Sequence, residues 1–128
     1  MFYAQKTFKM KDLISPSELQ LQLQNKEFVL KTQHQISKDF AQFHLLFDEE
    51  FESEALTKST LEQLISERIA ELMKEGETRL LQLLYTIDLP EKEFLSITTD
   101  PNFLQLLSEK ILFREAYKVF LRSRFSLK

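Results

Sequence analysis

Between Ser59 and Ile87 the apolar residues Leu61, Leu64, Ile65, Ile69, Leu72, Met73, Leu80, Leu83, Leu84 and Ile87 recur at steps of three and four, with one longer step. A strand repeats every two residues and a helix every 3.6, so this spacing predicts one long amphipathic helix over 59–87. Ser59-x-x-Glu62 has the form of a capping box at its start, and Asp88 and Pro90 are expected to stop it. At 1.5 Å per residue such a helix would be roughly 42 Å long. That length is large for a monomer of this size and favours a partner along part of it.

The rest of the chain points the same way. With 1 Gly and 3 Pro in 128 residues, the tight turns of an all-β fold lack the residue that most readily takes positive φ. Ser15-Pro16-Ser17-Glu18 reads as a capped helix start. Leu19, Leu21 and Leu23 alternate with Gln20, Gln22 and Gln24, a strand-like pattern, but Leu and Gln favour helix. Val29, Ile36, Phe40, Phe43 and Phe47 predict a helix over 28–47, with polar Gln33 interrupting the stripe. The charged stretch 48–58 reads as a connection anchored by Phe51. Asp88-x-x-Glu91 opens a short helix carrying Phe94, Leu95 and Ile97, and Asp100-Pro101 opens the last one, to about Phe125. The apolar residues among 1–14 are expected to dock on the fold.

We therefore expect an all-α fold. It would be a single-domain irregular bundle of four or five helices over residues 1–128, built around the long helix 59–87. A β-hairpin at 18–36 is the lesser alternative.

The last helix differs from the central one. Phe103, Leu104, Leu106, Leu107, Ile111, Leu112, Phe113, Ala116, Tyr117, Val119, Phe120 and Leu121 cover most of its circumference. A helix apolar nearly all round lies in the middle of a bundle or at a subunit interface. Phe113, Tyr117, Phe120 and Leu121 are the candidate interaction residues. There are 12 Phe and no Trp, and Phe buries a large ring with no polar atom to satisfy. Lys110, Arg114, Lys118 and Arg122 repeat every four residues and continue to Arg124 and Lys128. This basic stripe is the candidate anion site for nucleic acid or acidic lipid. The favoured alternative is that the stripe complements the helix dipole and pairs with Glu67, Glu71 and Glu75 on the central helix.

Gly76 falls near the middle of the predicted apolar face, where a Gly costs about 1 kcal/mol relative to Ala. Close packing of the final helix on its bare backbone is the expected compensation, with a kink as the second choice.

Charge is unevenly spread. Residues 1–47 carry 6 basic and 4 acidic side chains, 48–77 carry 3 and 10, and 78–128 carry 8 and 6, for a net charge of -3. An acidic domain is a poor dedicated nucleic-acid binder.

Several chemistries fail on composition. No cysteine is present, so thiolate catalysis and Cys-based metal sites are excluded. One Gly cannot supply a phosphate-binding loop or a dinucleotide fingerprint. Asp48, Glu49, Glu50, Glu52 and Glu54 lack the EF-hand pattern, and His34 and His44 stand outside any metal motif. No catalytic residue, metal or cofactor is assigned. The chain has neither a signal-peptide pattern nor an apolar run of about 20 residues. We expect a soluble cytoplasmic protein that is not an enzyme. It would act by binding a protein partner or by self-association, with anion binding as the alternative.

Overall fold

The computed structural model describes residues 14–125. The expected docking of the N-terminal stretch lies outside them except for Ile14, and Lys128 of the basic stripe lies outside them too. Seven helices and no strand occur among the described residues: α1 (Pro16–Gln22), α2 (Lys26–Ala41), α3 (Glu49–Ser53), α4 (Lys58–Met73), α5 (Glu77–Ile87), α6 (Glu91–Leu95) and α7 (Phe103–Phe125). The fold is an all-α bundle.

The capping box at Ser15 forms as the sequence predicts. Its Oγ accepts from Glu18 N and its N–H donates to Glu18 Oε1, both at 3.1 Å. Asn25 then caps α2 by accepting from Phe28 N at 3.0 Å. These two caps overturn the hairpin alternative, because 18–36 lies in two helices joined by a three-residue turn. Alternation of Leu with Gln has no facial meaning on a helix. Leu19 is fully buried, whereas Leu21 is 63% exposed.

α2 stops at Ala41, short of the predicted 47. Leu45 N–H reaches back to the Phe40 carbonyl at 3.1 Å and His44 N–H to the Ala41 carbonyl at 3.0 Å. His44 sits at φ 63°, which is a Schellman-type close with His in the left-handed position. The apolar residues beyond the close still reach the core. Phe47 stacks on Phe51 with ring centroids 4.0 Å apart. Phe51 is buried, as its expected anchoring role requires.

The long central helix is not one helix. It is α4 and α5, parted at Lys74-Glu75-Gly76. Gly76 has φ 112° and ψ 160°, a backbone region open essentially to glycine alone. It is exposed, and an added Cβ would meet nothing within 4 Å. Close helix packing at Gly76 is thereby corrected. The glycine is needed for its backbone angles and not for lack of bulk, and a side chain there would cost about 1–3 kcal/mol in backbone strain.

Two more predicted signals move. Thr57, not Ser59, caps α4 by accepting from Thr60 N at 3.2 Å. Glu62 is drawn inward instead, taking Lys58 Nζ at 2.7 Å and Gln105 Nε2 at 3.2 Å. Asp88 does not open α6. It closes α5 at φ 69°, where Leu89 N–H bonds the Leu84 carbonyl at 2.9 Å.

α7 runs through the middle of the bundle. It packs most extensively on α4, then on α2, and also meets α5 and α1. Leu107, Ile111 and Leu112 join Ile36, Phe40, Leu61, Ile65, Ile69, Leu72, Leu83 and Ile87 in the main core. Farther along, Ala116 and Tyr117 pack with Ile14 and Leu19 in a second cluster, flanked by Phe28, Phe113, Phe120 and Leu121. Helices of this one chain thus cover much of the apolar circumference of α7.

Candidate functional site

Residues 110, 114, 118 and 122 advance together along α7 because four residues make just over one helical turn. Their partners differ from those the sequence suggests. Lys110 Nζ lies 2.6 Å from Glu93, and Arg114 Nη2 lies 2.8 Å from Asp88. Lys118 Nζ lies 2.6 Å from Asp39 and 3.3 Å from Glu115. Arg122 donates to the amide oxygen of Gln35. None of these partners comes from the acidic stretch 48–77. Glu67 and Glu75 instead meet their own neighbours Arg68 and Arg79.

A polar chain therefore crosses the seam between α2 and α7. Arg122 bonds Gln35, Gln35 Nε2 donates to Asp39 Oδ1 at 3.1 Å, Asp39 accepts from Lys118, and Lys118 approaches Glu115. Gln35, Asp39 and Glu115 are buried, and Glu115 is at 0% exposure. Neither Glu115 oxygen has a well-formed hydrogen bond among the described residues. Burial pushes its carboxyl well above the usual carboxylate range. Lys118 draws it back, and the neighbouring Asp39 charge adds to the rise.

At the outer end of this seam the surface opens into a concavity of about 450 Å³. It is lined by Lys31, His34, Gln35, Lys38, Val119, Arg122 and Ser123. On α2 the lining residues recur at steps that place them along one face. On α7 Val119, Arg122 and Ser123 do the same. Four of the seven are basic types and none is acidic.

The candidate interaction residues fall at the same end of α7. Tyr117 is only 3% exposed and is buried within this chain, while Phe113, Phe120 and Leu121 are half-buried. Exposed apolar surface lies elsewhere. On α5, Leu81 is 41% and Tyr85 84% exposed, while Leu80, Leu83, Leu84 and Ile87 face the core. Leu81 and Tyr85 sit one turn apart on the same side. They are outside the repeat that marks the buried face, so a search for that repeat passes over them.

Gln33 was also missed as a functional group of the fold. Its Nε2 donates to the carbonyls of Phe51 and Glu54 at 2.7 and 2.8 Å, and its Oε1 accepts from Leu56 N at 2.7 Å. The polar interruption in the α2 stripe is thus a clamp on the backbone around α3. His34 adds to it, its Nε2 lying 2.8 Å from the Glu52 carbonyl. His44 occupies the left-handed turn described above. Among the described residues no three acidic or histidine side chains converge as a metal site, and no helix is long and apolar enough to cross a membrane. The sequence matches no family model, and no curated protein and no solved structure matches it either.

Proposed function

We propose that this chain is a non-enzymatic helical protein–protein interaction module that associates through the outward side of α5. The observation behind this reading is the exposed pair Leu81 and Tyr85. Tyrosine is enriched at interfaces because it combines a large apolar ring with a polar tip. α5 is bounded by a glycine-dependent joint at one end and a left-handed close at the other, so its outward side is presented as a short separate rod. Self-association is the form in which we test the proposal. In the same reading the protein works in the cytoplasm, where a chain without cysteine forgoes no disulfide.

Sedimentation velocity of the full chain at micromolar concentration should give a concentration-dependent oligomer. A Leu81→Ser, Tyr85→Ser variant should return it to monomer with its helix content unchanged. A parent chain that stays monomeric throughout that range would overturn self-association.

Anion binding along the whole basic stripe has less support. Lys110, Arg114 and Lys118 would each have to leave a carboxylate to meet a phosphate backbone or a lipid headgroup, forfeiting the pair already made.

A further inference from the structure

The outer end of the α2/α7 seam differs from the rest of the stripe in that, among the described residues, no carboxylate lies within hydrogen-bond distance of its basic side chains. Arg122 is held by Gln35, a neutral acceptor, so its side chain is positioned while its charge is kept. Gln35 is itself fixed from below by Asp39, whose charge is met by Lys118. Lys38 has no ion-pair partner among the described residues. Lys31 has only Glu27, at 4.0 Å with both side chains largely exposed, a contact of little strength. His34 is turned toward α3, its Nε2 on the Glu52 carbonyl and 3.9 Å from that residue's carboxylate.

We propose that this concavity is a binding site for a small phosphate-bearing ligand of the phosphomonoester or diphosphate class. Size admits a small molecule, since the open depression has a volume of about 450 Å³. Charge points to a multivalent anion, since Lys31, Lys38 and Arg122 present three basic side chains around buried Val119 and Gln35. Geometry points to phosphate. A guanidinium held in place offers a fork that matches two phosphate oxygens, and lysines from the facing helix supply point charges to the others. Ser123 at the rim donates its hydroxyl to the Phe120 carbonyl at 3.2 Å, which leaves its oxygen only as an acceptor, so the cations carry the recognition. An extended polyanion would gain little more, because the next cations along α7 are already paired.

The test is calorimetric titration of the full chain with inorganic pyrophosphate at about 50 mM salt, where screening is modest, with citrate as the carboxylate comparison. One-site saturable binding of pyrophosphate, tighter than citrate, is expected. A Lys31→Ala, Lys38→Ala variant changes only exposed side chains and should fold as the parent does by circular dichroism, with Kd raised about tenfold or more. Lys110→Ala, on the paired part of the stripe, should stay within about twofold of the parent. Absence of saturation at millimolar pyrophosphate overturns the proposal. So does equal binding of citrate, or an equal loss in Lys110→Ala. Tighter binding of a single-stranded RNA oligonucleotide that survives the double substitution overturns it as well.

Discussion

Lys118 and Arg122 are one turn apart on α7 and look interchangeable in the sequence, yet the two ends of the α2/α7 seam pair their charges differently. At the inner end Lys118 lies between Asp39 and Glu115 and holds two buried carboxylates together. At the outer end Arg122 rests on an amide beside Lys31 and Lys38, facing solvent. Equal spacing sets which side of a helix a charge lies on. The facing element sets whether that charge is neutralised, and so whether it belongs to stability or is left for binding.

The sharpest way to break this contrast is Lys118→Ala. Removing the cation leaves the Asp39 carboxylate buried without its counter-charge, and we expect a loss of about 3–5 kcal/mol in chemical denaturation. A loss below about 1 kcal/mol would mean that the inner end is as solvated as the outer.

Glu115→Gln probes the same end through pH. The folded-state pKa of Glu115 lies above its ordinary value of 4.5. Its contribution to stability is therefore fully present below that value and is lost as pH rises through the raised one. The melting temperatures of parent and variant should differ least in acid. The gap should then move in the variant's favour as pH rises above 4.5. A difference independent of pH would show that Glu115 carries its charge without penalty.

Lys110→Ala should cost only about 0.2–1 kcal/mol, because its pair with Glu93 is partly exposed. Smallest of all is Lys38→Ala, expected within about 0.5 kcal/mol of the parent in denaturation. If Lys38→Ala proved as damaging as Lys118→Ala, the division of the seam into a structural and an open end would fail.

The features legible in the sequence were those decided within a turn or two of chain. Ser15 and Glu18 are three residues apart, and their capping box forms as predicted. Phe51 stood alone among acids and is the anchor of its connection. Where two local signals competed, local reasoning went astray. Thr57 and Ser59 both offer a hydroxyl near the start of α4, and the backbone chose the earlier one. Gly76 lay on the apolar wheel only because the wheel assumed an unbroken helix. Asp88 suited a helix start by type, and a left-handed close by the same short polar side chain.

The candidate sites were less legible. Asp39 and Lys118 are 79 residues apart in the chain, and nothing in either local sequence links them. Gln33 looked like a fault in an apolar stripe until α3 lay across it. The concavity needs residues from two helices whose relative placement no periodicity can give.

By itself, the sequence determined that this chain is helical, through apolar spacing, local caps and the near absence of glycine. It also determined that the last helix would be widely covered, through the breadth of its apolar circumference. Only the tertiary structure decided where the long helix breaks, which carboxylate meets each basic side chain, and which cations stay open to solvent. The reason is physical: helix formation and capping are settled by bonds between residues a few positions apart. Burial and charge pairing depend on which distant surface arrives opposite.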